Sequence, residues 1–317
     1  MTTGAGSLRN RIVNAGLGVE LQALLLGFQD SLQRLEAAQA DRQLKEAQND
    51  LDASYIRRRL EAELVGLRQD RDDVPSLKAF LATLRKTREY NRAWADSNPL
   101  VSVRVASYIN TQQLMEITIP SVLAQTYQNF EIVIVNDGPN DRTRRAILAA
   151  GDSRIRYEEF PTRRVYPTDP HARWMVAGSP GMNRAAELAR GAWIAPLDDD
   201  DSFTPDHIEK LLRLAIAERA ELAYGALVQK NLANGENHRI YSAPPAISQF
   251  SFQGAIYLAM LHPTFRYDEA SWLVEEPGDW NLIRRMLAAG VTMAATPDVV
   301  AEMNQIPFTH KQQESHA

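Results

Sequence analysis

The stretch GMNRAAELARGAWIAPLDDDDSF, residues 181–203, decides how the chain is read. Its first half consists mostly of helix formers and runs to Gly191, a residue type that closes helices in a left-handed conformation. Its second half opens with AWIAPL, a short apolar run that predicts a buried strand. Four aspartates, Asp198 to Asp201, follow directly. Adjacent carboxylates repel one another, and a counter-cation relieves that repulsion. Oxygen ligands suit the hard ions Mg²⁺ and Mn²⁺, which bridge one or two carboxylates to substrate phosphates. An acidic turn that starts the next helix, through Asp201, Ser202, Thr204 and Pro205, explains one carboxylate and leaves three. Strand alternation would point Asp198 and Asp200 the same way.

Working outward, LVSVRVASY (100–108), EIVIVND (131–137) and RIRYEEF (154–160) read as strands. Residues 113–126 and 141–150 between them read as helices. This alternation predicts an α/β protein whose mostly parallel sheet lies between helices. In such sheets ligands sit beyond the carboxyl ends of the strands. That rule selects Ser107 to Asn110, Asn136 to Gly138, and Asp198 to Asp201. Asp137-Gly138 is a turn in which glycine permits close backbone approach. Its carboxylate either faces solvent or accepts hydrogen bonds from a base N–H or ribose hydroxyls.

The first 98 residues have another texture. Leu21, Leu25, Phe28, Leu32 and Leu35 recur at helical spacing, as do Leu60, Leu64 and Leu67. The apolar seam lapses at Gln39 and Arg42, so no sustained heptad repeat is present. Asp72-Asp73-Val74-Pro75-Ser76 breaks the pattern, and Ser76 is expected to cap a helix bearing Leu77, Phe80, Leu81 and Leu84. The chain therefore divides into 1–98, a helical extension, and 99–317, the α/β domain. The extension is either a hairpin packed on that domain or a coiled-coil arm for homo-oligomerisation or partner binding.

Net charge is −5 and falls unevenly: residues 1–98 hold 15 Lys+Arg and 14 Asp+Glu (+1), the remainder 20 and 26 (−6). A broad basic field for nucleic acid is excluded. The absence of cysteine excludes disulfide scaffolds, thiolate metal sites and thiol nucleophiles. No run of about 18 apolar residues predicts a membrane span, and residues 1–18 lack the features of a secretory signal. A cytoplasmic location is expected.

Taken together, VSVRVASYIN, SVLAQTYQNFEIVIVNDG and MNRAAELARGAWIAPLDDDD resemble the opening of a family 2 glycosyltransferase with the GT-A fold. The resemblance covers roughly residues 100–205. It implies that Ser107 and Tyr108 line a nucleotide pocket and that Asp137 contacts the base of a nucleotide-diphosphate sugar, expected to be a UDP-sugar. It further implies that Asn183 faces the donor and that Asp198 and Asp199 contact ribose or sugar hydroxyls. Asp200, with Asp198, would hold Mn²⁺ or Mg²⁺ against the diphosphate. Two positions depart from the pattern: the usual proline near Ala106-Ser107 is missing, and Asn136 replaces an acidic residue.

The same resemblance implies a single displacement with inversion at the anomeric carbon, and a carboxylate base at the start of a C-terminal helix. The matching segment is EEPGDWNLIRRMLAAG (275–290). Asp279 is the expected base, and Gly278 stands where the family carries another acid. A helix dipole favours a carboxylate there. Glu275 and Glu276 are the alternatives. His262 is placed near acceptor, phosphate or metal; Arg266 faces the leaving diphosphate or solvent; Trp272 and Trp280 serve the sugar or the core. The acceptor hydroxyl, on a glycan, lipid, protein or small molecule, is left open. A sugar nucleotidyltransferase is the first competing reading, but SYINTQQLMEI lacks the Gly-rich loop it needs. A non-catalytic helical scaffold on a degenerate transferase domain is the second.

Overall fold

The computed structural model describes residues 73–231 and 234–305, with Phe28, Leu60 and Leu64 as isolated helical positions. Apart from those three positions, the helical patterns read at 21–35 and 60–67 lie outside the described residues, as does the seam at Gln39 and Arg42. Contacts divide the chain into two compact units, Met1–Glu63 and Leu64–Ala317, and the fold below is that of the second.

Among the described residues, its first continuous element is helix α1, residues 73–84. Pro75 lies in the described opening of α1, and Ser76 lies inside the helix instead of capping it. Leu77 and Leu81 of α1 are buried, as are Tyr90 and Ala93 in and after helix α2 (Arg88–Arg92). Both helices are tied to the sheet through Glu221, whose side chain is fully buried. Glu221 accepts from Arg85 Nε and Nη2 at 2.8 and 2.7 Å, Tyr90 Oη at 2.9 Å and Thr292 N at 2.8 Å. Those four donors fill its lone pairs. Burial alone would raise its pKa, but they hold it below the ordinary value.

The sheet alternates with helices as the sequence predicts. Strand β1 (Val101–Ser107) leads to α3, in which Thr111–Gln113 and Ile119–Leu123 flank a π turn at Leu114–Thr118. Then come β2 (Phe130–Asn136), α4 (Asp141–Ala150), β3 (Ile155–Glu159), α5 (Pro170–Val176), α6 (Ser179–Leu188) and β4 (Trp193–Asp198). A two-residue strand β5 (Ser202–Phe203), α7 (His207–Ala217), β6 (Leu222–Asn231), β7 (Asn237–Ile240), β8 (Ala255–Leu258), α8 (Gly278–Ala289) and β9 (Met293–Gln305) complete the described unit.

Strand order is β3-β2-β1-β4-β8-β6-β9-β5, with β7 paired to β6. The half holding β3, β2, β1 and β4 is parallel; β8 joins β4 and β6 antiparallel. The chain steps from β1 outward to β2 and β3, then returns to place β4 on the other side of β1. This reversal leaves a crevice at the carboxyl ends of β1 and β4, where α/β sheets bind ligands.

Two local expectations are corrected. Helix α6 ends at Leu188, with Ala189 as its C-cap, so Gly191 does not close it. Gly191 is required for a different reason: a Cβ there would lie 2.6 Å from Leu100 O and 2.7 Å from Ser102 N of the adjoining chain. The run after β4 is also not a helix start. Ser202 and Phe203 pair with Glu302 and Ala301 of β9, and α7 begins only at His207.

Candidate active site

The three strand ends selected from the sequence meet. Asp199 accepts from Ser107 Oγ at 2.7 Å, Asn110 Nδ2 at 2.9 Å and Tyr108 N at 3.4 Å. Asp137 N donates to Ser107 O at 2.7 Å, and Asn140 Nδ2 donates to Tyr108 O at 2.8 Å. Asp199 therefore fastens the loop after β1 to the end of β4. Ser107 and Tyr108 lie in this junction, and the Arg163 guanidinium covers the Tyr108 ring at 4.1 Å.

Asp137 is buried, and its Oδ1 accepts from Arg164 N at 2.9 Å. It thereby anchors the 160–169 loop, which carries Arg163 and Arg164, over the end of β2. Gly138 makes this possible: its φ is +102°, and a Cβ would come within 3.0 Å of Arg163 N. Asn136, where the resemblance expects an acid, turns its Nδ2 onto Gly138 O at 2.9 Å and stabilises the same turn.

The four aspartates occupy four environments. The strand ends at Asp198, so alternation does not extend to Asp200, which lies in the following turn. Asp198 Oδ2 accepts from Gln253 Nε2 at 2.6 Å, and the same amide donates to Asp201 Oδ2 at 2.9 Å. Asp201 Oδ1 accepts from Asn304 N at 2.8 Å, while Asn304 Nδ2 donates to Asp200 O at 2.7 Å. Asp201 is thus a bracket between loops. Burial, then Asp279 and Asp200, push the Asp198 carboxyl up to about 7. Burial and Asp200 push Asp199 up to about 6, against the hydrogen bonds from Asn110 and Ser107.

The expected base, Asp279, is joined to Asp198 through two side chains: Ser251 Oγ donates to Asp279 and touches Gln253, whose amide donates to Asp198. Asp279 is the second residue of α8; Pro277 holds the N-cap position, and no side chain caps that helix. Its carboxylate instead receives Tyr267 Oη at 2.7 Å on Oδ1, with Ser251 Oγ at 2.6 Å and Phe252 N at 3.0 Å on Oδ2. A carboxylate offers about four lone-pair sites, so one remains on the partly exposed Asp279. Glu276 is engaged by Arg284 Nε and Asn281 Nδ2, both at 2.7 Å. Glu275 ends a 3₁₀ turn with φ of 53°.

Asn183 has a role in the fold that the motif does not announce. Its Nδ2 donates to Tyr267 O and its Oδ1 accepts from Tyr267 N, both at 2.9 Å, so it clamps a backbone. His262 is buried beside Arg266 and Arg104; burial first and those charges next push its imidazole down to about 4. Arg266 pairs with Glu187 at 2.6 Å. Trp280 packs partly against the core.

No motif in the sequence singles out Arg104, Ser251, Gln253 or Tyr267. Only Arg104 left a signal, as a lone cation in an apolar strand. Among the described residues, no three His, Asp or Glu side chains converge to hold an ion by themselves. No described helix is long and apolar enough to cross a membrane.

A mixed α/β sheet with an acidic pocket at its topological reversal is the arrangement of a GT-A transferase. The chain belongs to glycosyl transferase family 2, whose family model matches residues 102–168 and 171–287. Among relatives, an Escherichia coli UDP-Glc:alpha-D-GlcNAc-diphosphoundecaprenol beta-1,3-glucosyltransferase, WfgD, is 32% identical over 126 residues, 40% of this chain and 45% of that protein. The succinoglycan biosynthesis protein ExoO of Rhizobium meliloti is 29% identical over 226 residues, 64% of this chain and 60% of that protein. Each match thus spans less than two thirds of the relative. The solved structure of S. aureus TarS 1-349 in complex with UDP-GlcNAc matches with a TM-score of 0.51 at 15% identity, covering 68% of this chain and 61% of that one, and shares the fold.

Proposed function

We propose that the chain is an inverting glycosyltransferase that moves a sugar from a nucleotide diphosphate, a UDP-sugar, to an acceptor hydroxyl. The observation that carries this reading is the short run of contacts joining Asp279 to Asp198: Ser251 Oγ donates to Asp279 and touches Gln253, whose amide donates to Asp198 at the end of β4, beside Ala106 of β1. Names of relatives support the donor class: one is named as a UDP-Glc transferase, and a fold neighbour was solved with UDP-GlcNAc.

Asp279 acts as general base. Three hydrogen bonds fix its carboxylate, and its open lone pair accepts the acceptor proton as the hydroxyl attacks. The loop after β1, fastened by Asp199, forms the floor for the nucleotide. Arg163 and Arg164 bring cationic charge over that floor.

Asp198 and Asp200 are the residues that would hold Mn²⁺ or Mg²⁺. The fit rests on their donor chemistry: an ion of this kind takes one or two carboxylates and completes its shell with substrate phosphates. The raised pKa of Asp198 marks a negative field that a cation relieves. Such an ion supplies charge stabilisation to the leaving diphosphate. His262 is outside this set, because Arg266 and Arg104 lie beside it.

Two measurements test the reading. UDP binding by calorimetry should tighten when Mn²⁺ is added; equal affinity without it removes the metal from Asp198 and Asp200. Asp279→Asn should lower transfer by about 10²–10⁴-fold while UDP still binds. Wild-type turnover in that variant would move the base elsewhere.

A further inference from the structure

Arg104 lies in the middle of β1, paired on one side with Val133 of β2 and on the other with Pro196 of β4, and is 1% exposed. A charged group in a buried strand is strongly disfavoured unless it is paired and hydrogen-bonded. Its Nη2 donates to Tyr267 Oη at 2.8 Å, and its Cζ lies 5.0 Å from the Tyr267 ring centroid. Tyr267 Oη in turn donates to Asp279 Oδ1 at 2.7 Å.

The order of donors is fixed. A phenol has one proton, and Arg104 can only donate. The proton of Tyr267 therefore goes to Asp279, and its oxygen accepts from Arg104. Burial first and the Asp279 charge second hold the Tyr267 phenol well above its ordinary pKa, so it remains a donor. Chains of this kind polarise one another.

Tyr267 is held from two further directions. Asn183 clamps its backbone through two hydrogen bonds of 2.9 Å. Its ring presses on Gly278, where an added Cβ would lie 3.1 Å from Tyr267 Cδ1 and 3.3 Å from Met175 O. The site where the resemblance expects a first acid thus has little room for a side chain, and the tyrosine stands against it.

We propose that Arg104 is a positioning residue for the reaction: its guanidinium sets the Tyr267 phenol, and the phenol aims the Asp279 carboxylate. The proposal rests on Asp279 as base, and it links Arg104 to the departure at Gly278 through one side chain. Arg104 acts at one remove and touches no substrate.

The test uses the full chain labelled with ¹³Cζ-tyrosine. The Tyr267 signal is identified as the one missing from Tyr267→Phe, which keeps the ring and its packing. Arg104→Met and Asp279→Asn should each displace that signal, and Arg104→Lys should displace it less. In steady-state UDP release from UDP-glucose with Mn²⁺, Arg104→Met and Tyr267→Phe should each lower kcat by about 100-fold with KM nearly unchanged. Arg104→Lys should recover most of the rate. The double variant should be no slower than the slower single one, because both changes break one chain. An unmoved Tyr267 signal in Arg104→Met overturns the proposal, as does an equal kcat loss from Arg104→Met with and without Tyr267. If Arg104→Met does not fold, the Arg104→Lys signal and the Tyr267→Phe rate decide. Failure of the base reading looks different: Asp279→Asn would turn over normally while the Tyr267 signal still answered to Arg104.

Discussion

Four identical letters in the sequence, Asp198 to Asp201, become four different side chains once their neighbours are known. Asp199 serves Ser107, Tyr108 and Asn110; Asp201 serves Gln253 and Asn304; Asp198 faces Gln253 and the field of Asp279. Asp198 and Asp199, at about 7 and about 6, bind protons more tightly in the folded protein than an ordinary carboxylate does. Their contribution to stability is therefore complete below about pH 4 and fades as pH rises through 6 to 7. A divalent ion must displace those protons, so Mn²⁺ should raise Tm more at about pH 8 than at about pH 5.5. Buried His207 and His262, both pushed to about 4, lose stability in the opposite direction, as pH falls below about 6.5. The Mn²⁺-induced shift at each pH, rather than Tm itself, is thus the useful quantity. Equal shifts at both pH values would count against a cation at these carboxylates.

At the scale of elements, local pattern and observed structure agree where a segment's neighbours are sequential. Asp141–Ala150 is a helix over the span expected, and β1, β2 and β4 fall within a residue or two of their apolar runs. What could not be read depends on distant chain. Gly191 resembles a helix terminator in sequence, yet its requirement comes from Leu100 and Ser102, about ninety residues earlier. Gln253 and Tyr267 carry no local mark, because their partners Asp198, Asp201 and Asp279 are brought to them only by the sheet order. The clamp of Asn183 on the Tyr267 backbone is likewise invisible in the motif that singles out Asn183, because Tyr267 lies 84 residues away. Gly191→Ala should destabilise the fold by about 1–3 kcal/mol through overpacking, read as a lower urea midpoint with unchanged slope. A neutral outcome would mean that the β1 and β4 backbones can part at that point.

At the scale of the molecule, the helices before β1 share the core of the sheet. Leu81 is 1% exposed, and Glu221 depends on Arg85 and Tyr90 for three of its four donors. Removing those donors would leave a buried carboxylate unpaired, a loss of roughly 3–5 kcal/mol for a fully buried pair and less here because Arg85 is partly exposed. A fragment of residues 73–317 should therefore melt cooperatively, whereas 99–317 should be clearly less stable or unfolded in a thermal scan. If both fragments melt alike, α1 and α2 contribute nothing to the domain. Light scattering on the full chain beside the 73–317 fragment then tests whether residues before α1 drive self-association.

The lacing of the β1, β2 and β4 ends by Asp199, Asn140 and the Asp137 amide has a consequence for how ligand arrives. The floor of the crevice is already assembled from internal bonds, so the nucleotide donor proposed above would find it set, with few loops to freeze on contact. Association should then show one fast kinetic phase that depends linearly on concentration, and an entropy of binding lacking a large ordering loss. Unfastening that floor with Asp199→Ala should slow capture and make its entropy less favourable, because the loop after β1 loses the carboxylate that holds Ser107, Tyr108 and Asn110.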